Sequence, residues 1–364
     1  MYTILTTKKS GNVGDQLIVE SAKSLIRHIK GNVDFLEFFR EDDLTENVDK
    51  INETKAVIMP HFGLRDPDMH PRTYHLTKDL KQIKVPLIPI GIGWKGFPGD
   101  AETLRTLKYS ENTNKFLNYI SSQVDVLLCR EYYTCQILAN HGITNTVMGG
   151  DCAWYNIKNI GMEMKKPESI EKLVFTTPYL PIYLEQAKKM INMLAKLFPK
   201  ATKYCSFHAG LDVISTDKEL AEYAKKCNFQ IKDVSNDTKK IEFYQDCDLH
   251  VGYRCHGHIA FLQNRIPSVL LNEDGRGVGF SYTFGVGGFD AFRRKPNSIF
   301  KTIGNVSGRS LISKQIEADP VVDKKILQFL EEELKSGFRR FVGLPKFIDE
   351  TYEKTMKPFI ESIP

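Results

Sequence analysis

The sequence predicts an α/β protein made of two doubly wound halves in tandem. Short apolar runs alternate with helix-patterned stretches from Tyr2 to Asn140. The rhythm is lost between Asp151 and Glu171, and it then resumes as far as Leu271. Strands alternating with helices imply parallel β-α-β units with right-handed crossovers. A chain of 364 residues, 41% hydrophobic and 26% charged, can bury two such cores and is too apolar for global disorder.

In the first half, Tyr2–Thr6 reads as a strand, and Asp15–Lys30 as an amphipathic helix with Leu17, Ile18, Ala22, Leu25, Ile26 and Ile29 on one side. Val33–Phe39, Ala56–Pro60, Leu87–Ile90 and Val124–Cys129 supply further strands, with helices at Asn114–Ser121 and Glu131–Asn140. The aperiodic stretch holding Trp154, Asn156, Asn159, Gly161 and Pro167 places the domain boundary near Lys165, giving an N-terminal half over 1–165 and a C-terminal half over 166–364. The second half reads as strand Leu173–Thr176, helix Ile182–Leu197, strand Thr202–Phe207, helix Asp217–Lys226 and strand Phe229–Ile231. Helix Thr238–Tyr244, strand Leu249–Gly252, helix Cys255–Gln263 and strand Ser268–Leu271 follow. A glycine-rich loop is expected from Gly275 to Gly288, and two helices near Lys314–Lys335 and Phe347–Ile360 close the chain.

Composition excludes several function classes. Fifty Lys and Arg against 45 Asp and Glu give a net charge of +5, dispersed rather than gathered in the aromatic-interleaved stripe of a nucleic-acid binder. No apolar run approaches the ~20 residues that span a bilayer. Met1–Ser10 reads as a strand entering a glycine motif, not as a signal peptide. The seven cysteines form no C-x-x-C pair, which argues against a zinc ribbon or a redox dithiol and for reduced thiols in a cytoplasm. No metal site is expected.

In doubly wound sheets ligands sit beyond the carboxyl ends of strands, beside helix N-termini. Several strand ends carry polar residues. Gly11-Asn12-Val13-Gly14-Asp15 offers free backbone N–H groups, or merely a capped turn. His61 and the run Gly91-Ile92-Gly93-Trp94-Lys95 follow two others, where a structural histidine and a solvated lysine are the plain alternatives. Arg130 ends an apolar strand, a costly place for a cation unless it meets an anion, whether a ligand or Glu131. Tyr253-Arg254-Cys255-His256-Gly257-His258 is the most telling. Arg254 presents a planar fork suited to phosphate or carboxylate, His256 can move a proton near neutral pH, and the helix start adds positive potential. Arg276 lies one crossover later and can reach the same pocket. Asp151 and His208 are further strand-end candidates. The sum suits a compact anionic substrate carrying phosphate.

These motifs resemble the polysaccharide pyruvyl transferase family. G-N-V-G-D at 11–15, G-I-G at 91–93, C-R-E at 129–131, G-G-D at 149–151, V-G-Y-R-C-H-G-H-I-A at 251–260 and I-P-S-V at 266–269 occur in the family's order over most of the chain. The resemblance implies two Rossmann-like domains in the GT-B arrangement, with a C-terminal helix. It also implies a reaction in which phosphoenolpyruvate donates its three-carbon unit to two hydroxyls of a polysaccharide precursor, forming a pyruvate ketal. By that analogy His256 is the proton donor, Arg130, Arg254 and Arg276 clamp the donor's anions, and Cys255 lies in the donor pocket. The family often has lysine where Arg276 stands. Asn12, Gly14, His61 and Lys95 then face the acceptor sugar, with Asp15 as the general base. No cofactor is implied, phosphoenolpyruvate being a substrate. The partners are a glycan or lipid-linked oligosaccharide, at the inner face of the cell membrane or free in the cytoplasm. A sugar-nucleotide glycosyltransferase and a non-catalytic module for anionic glycans remain the competing readings.

Overall fold

A computed structural model describes residues 1–8, 11–65, 69–296 and 315–364. Its first sheet contains β1 (Tyr2–Thr6), β2 (Phe35–Phe39), β3 (Val57–Met59), β4 (Gly63–Leu64), β5 (Leu87–Trp94), β6 (Leu127–Cys129) and β7 (Thr146–Met148). The order is β2-β1-β3-β5-β6-β7, with β4 paired to the far end of β5, and every pairing is parallel. The second sheet contains β8 (Lys172–Thr176), β9 (Thr202–Phe207), β10 (Phe229–Asp233), β11 (Leu249–Gly252), β12 (Ser268–Asn272) and β13 (Gly288–Asp290). Its order is β10-β9-β8-β11-β12-β13, again all parallel. A small antiparallel pair, β14 (Phe292–Arg294) and β15 (Ile316–Ala318), lies beside it.

Strand order reverses between β1 and β3 in the first sheet and between β8 and β11 in the second. These are the switch points where the following loops diverge and leave a crevice. The helix Val13–Lys30 starts at the first and the helix Cys255–Leu262 at the second. Asn12 caps the former through Oδ1, which accepts from the Gly14 N–H at 3.3 Å.

The expected glycine-rich loop is instead a helix, Gly275–Phe284. Asp274 caps its start, accepting from the Arg276 N–H at 3.0 Å, and Gly285 ends it in the left-handed region at φ 68°. The glycines serve close packing: a Cβ would lie 2.6 Å from Trp94 at Gly275, 2.8 Å from Asn272 at Gly277 and 2.7 Å from Glu131 at Gly279. Thr238–Asp246 winds as a 3-10 helix rather than an α-helix, and its three-residue period stacks buried Ile241 and Tyr244. β5 runs on past Ile90 to Trp94, its register irregular where Gly91 takes φ +69°. The first closing helix is Val322–Ser336; Lys314 lies outside the described residues. The second is broken into Leu344–Thr351, a π-turn at Tyr352–Met356, and Lys357–Ser362.

The end of the chain returns to the first half. Lys357–Ser362 packs on Val13–Lys30, the Lys30 ammonium donates to the Glu361 carbonyl at 2.8 Å, and the Tyr2 hydroxyl donates to the Pro364 carbonyl at 2.6 Å. One continuous apolar core joins Ile4, Val13 and Ile58 of the first half to Phe175, Val251 and Ile259 of the second.

Candidate active site

Both switch points open on one cleft of about 290 Å³. Six basic side chains line it, Lys8, Arg40, Arg65, Lys95, Arg254 and Arg276, against the carboxylates of Asp15, Glu41, Glu273 and Asp274. The excess positive charge in a concave, partly dehydrated wall favours an anionic ligand.

On the first wall the glycine motif after β1 is held by the second half. The Val13 N–H donates to the His208 carbonyl at 3.0 Å and the Asn236 N–H to the Gly11 carbonyl at 2.9 Å. Gly14 then passes so close to His256 that a Cβ would lie 2.7 Å from its Nδ1. Asp15 faces His61, with Oδ1 3.2 Å from Nε2. An Arg40 N–H lies 2.8 Å from His61 Nδ1. Arginine only donates, so Nδ1 is the acceptor and the ring proton sits on Nε2, toward Asp15. Burial pushes His61 down to about 4, so it is a neutral donor that orients the Asp15 carboxylate.

On the second wall Arg254 follows β11 and is buried. Its backbone N–H donates to Thr176 Oγ1 at 3.2 Å and its Nη2 to the Pro178 carbonyl at 3.4 Å, while Nε makes no hydrogen bond among the described residues. The guanidinium stands 5.6 Å from the Tyr179 ring centroid. Glu273 accepts from the Tyr179 N–H at 2.9 Å and the Leu180 N–H at 3.0 Å. Burial pushes Glu273 up to about 7, against the pull of Arg254 and those two amides. Arg276 grips Asp274 through Nε at 3.0 Å and Nη2 at 2.6 Å; burial opposes its charge, but the Asp274 carboxylate holds it protonated. Burial pushes the Cys255 thiol up to about 12, which makes it inert as a nucleophile near neutral pH.

His256 and Arg130 share a partner that motif reading had not joined to them. Asp151 Oδ2 lies 3.7 Å from His256 Nε2 and 3.8 Å from an Arg130 Nη. Burial acts to raise the Asp151 carboxyl, yet His256 and Arg130 hold it below its ordinary value. Arg130 itself sits beneath the cleft, in an adjoining cavity of about 20 Å³ shared with His61, Arg65, Lys95 and Arg276. Its guanidinium stands 5.2 Å from the Phe280 ring and is pressed against Gly93. Glu131 makes no ion-pair contact with it among the described residues, although the Arg130 charge opposes the effect of burial on the Glu131 carboxyl; that carboxylate caps the helix Tyr132–Asn140, accepting from the Thr134 N–H at 2.9 Å.

His208 borders the cleft and His258 does not, and each is tied to a buried neighbour. His208 Nε2 meets the Tyr244 hydroxyl at 2.9 Å, and His258 Nδ1 meets Ser268 Oγ at 2.7 Å. Burial holds His208 well below 6.5 and His258 at about 3. Arg40, Arg65 and Tyr179 line the cleft without any motif to announce them, and Glu273 comes from the strand-end run that carries Arg276. Among the described residues no group of three or more His, Cys, Asp or Glu is placed to hold a metal.

Two parallel doubly wound sheets facing one cationic cleft make this a protein of GT-B architecture. A solved structure named for a UDP-N-acetylglucosamine 2-epimerase of Listeria monocytogenes is similar at 10% identity, TM-score 0.50, over 99% of this chain and 97% of that one. The UDP-N-acetylglucosamine 2-epimerase of Neisseria meningitidis is similar at 8% identity and TM-score 0.49, over 100% of both chains. Anabaena Alr3699/HepE, solved with UDP and glucose, is similar at 11% identity and TM-score 0.46, over 98% of this chain and 100% of that one. A search of curated proteins finds no match. The family model for polysaccharide pyruvyl transferase matches residues 12–275, and the chain belongs to that family. The matched segment carries the cleft residues from Asn12 and Asp15 to Arg254, His256 and Asp274.

Proposed function

We propose that the protein transfers the three-carbon unit of phosphoenolpyruvate to two hydroxyls of a sugar in a surface-polysaccharide or exopolysaccharide precursor. The product is a pyruvate ketal and the leaving group is phosphate. The observation that carries the reading is the meeting of Arg254, Arg276 and His256 with Asp15 and His61 across one cleft. The reaction needs an anion clamp, a proton donor and a base at one place.

A proton joins the terminal enol carbon, and the oxygen of the first sugar hydroxyl bonds to the neighbouring carbon. The second hydroxyl oxygen replaces phosphate on that carbon. Of the two hydroxyl protons lost, one replenishes the acid and the other leaves with phosphate. His256 supplies the proton to carbon, its ring held between Asp151 and Gly14. Arg254 and Arg276 hold the phosphate and carboxylate, with the buried Arg130 supporting their field from below. Asp15, oriented by neutral His61, receives a hydroxyl proton, and Asn12 and Gly14 border the acceptor. A highly charged phosphate ester does not cross a bilayer unaided, which supports a reaction in the cytoplasm or at the inner membrane face. No helix of the described residues is long and apolar enough to cross a membrane.

The GT-B architecture also favours a sugar-nucleotide glycosyltransferase as the second reading. Incubation with phosphoenolpyruvate and lipid-linked or reporter glycosides separates the two. Phosphate release with the mass gain of a ketal supports pyruvyl transfer; turnover of a UDP-sugar with no use of phosphoenolpyruvate overturns it.

A further inference from the structure

Lys95 follows β5 of the first half, yet its ammonium also meets residues of the second, Tyr179, Asp274 and Arg276. The loop that follows is docked across the cleft: the Gly275 N–H donates to the Gly96 carbonyl at 2.9 Å. Gly99, at φ +85°, lies so near that a Cβ would come 2.1 Å from the Gly275 nitrogen. The Lys95 ammonium stands 5.4 Å from the centroid of the Tyr179 ring and 5.6 Å from that of Phe97. Arg254 uses the same Tyr179 ring, at 5.6 Å. One ring therefore touches a cation from each half, and the two cations are no more than about 11 Å apart. A small molecule with phosphate and carboxylate on adjacent atoms bridges such a gap with a contact of about 3 Å at each end. Tyr179 is in turn fixed by Glu273, which accepts its backbone N–H at 2.9 Å.

We propose that Lys95 is a ligand of the donor's anionic groups together with Arg254, and that Tyr179 is the positioning residue that sets the two cations to the donor's span. The inference rests on the phosphoenolpyruvate reading above. It moves Lys95 from the acceptor side, where sequence resemblance alone put it, to the donor. The charges around Lys95 agree. Arg276 and Asp274 face it from the start of helix Gly275–Phe284, Arg65 from beyond β4 and Asp15 from helix Val13–Lys30. Among the described residues Lys95 and Arg254 have no carboxylate in ion-pair contact, so the donor's two anionic groups have two cations to meet. Burial, with Arg276 next, pushes Lys95 down to about 8.

The sign of the resulting pH dependence is fixed. A bound anion favours charged Lys95, so affinity is full below about pH 8 and falls as the free enzyme's lysine loses its proton. The donor's phosphate is already fully ionised there, its second pKa being about 6. Calorimetric titration of phosphoenolpyruvate into wild type, without acceptor, should show a decline in affinity above about pH 8, beyond the range near 7 in which Glu273, beside Arg254, gains its charge. Lys95→Met should bind about tenfold more weakly or worse at pH 7. Lys95→Arg should retain affinity and lose the alkaline decline. Tyr179→Phe should bind as wild type, and Tyr179→Leu should raise KM for phosphoenolpyruvate with little change in kcat. Equal binding by Lys95→Met, or an alkaline decline that persists in Lys95→Arg, overturns the assignment while leaving the donor reading intact. Wild-type affinity for Tyr179→Leu overturns the positioning role. Wild type that binds no phosphoenolpyruvate at any pH overturns both inferences at once. The wild-type pH profile needs no folded variant.

Discussion

His256 and Arg254 are adjacent but one residue in sequence, and their variants should fail differently. Arg254→Ala removes a charge-assisted fork worth about 1.5–3 kcal/mol, so phosphoenolpyruvate affinity should drop tenfold or more with the melting temperature nearly unchanged. Unaltered affinity would remove Arg254 from the clamp. His256→Gln should lose turnover by on the order of a hundredfold, with only a modest change in donor affinity. A defect confined to binding would make His256 a ligand and send the search for the acid elsewhere. Cys255→Ser should keep turnover, because a thiol pushed up to about 12 is not a thiolate at working pH. The motif Arg254-Cys255-His256 was legible because three residues in a row mark one strand end. Asp151 was visible as a strand-end carboxylate, but its 3.7 Å approach to His256 brings together opposite halves of the chain.

Among the elements, the start of helix Val13–Lys30 is the most constrained. Alanine at an ordinary helical glycine adds up to about 1 kcal/mol. At Gly14 the same Cβ would lie 2.7 Å from His256 Nδ1, and the ring would have to move. Gly14→Ala should therefore lose most turnover and melt lower than wild type, the clash with the buried ring outweighing the helix gain; phosphate-release assays beside thermal melts check both. Normal turnover would mean that the close approach does not set the histidine. The glycine-rich helix Gly275–Phe284 shows why composition misled. Gly275, Gly277 and Gly279 look like loop residues, and only their neighbours Trp94, Asn272 and Glu131 reveal that they exist to admit close contact. The continuation of β5 through Gly91 was hidden likewise, since glycines inside a buried strand with irregular register read as a loop.

For the whole molecule, the two sheets share a core and are bonded around the cleft, at Val13 to His208, Asn236 to Gly11 and Gly275 to Gly96. Arg294 of the second half also binds Asp100 of the first through Nη2 at 2.7 Å. Such halves should not melt independently. Scanning calorimetry should record one cooperative transition, with calorimetric and van't Hoff enthalpies in agreement; two resolved peaks would show that the shared core does not couple them.

By itself the sequence determined the alternation of strands and helices, the tandem of two parallel units and the motifs at their strand ends. Each of these is written in neighbouring residues: hydrophobic periodicity, caps, and cations placed where a strand stops. The tertiary structure alone decided that Gly14 meets His256, that Asp151 stands between His256 and Arg130, and that His61 is a neutral partner of Asp15. It also carried Lys95 to a ring of the opposite half and set Arg130 below the cleft rather than on it. These depend on contacts between residues far apart in the chain and on burial, which shifts charge and proton affinity by removing water. Neither is encoded in local spacing.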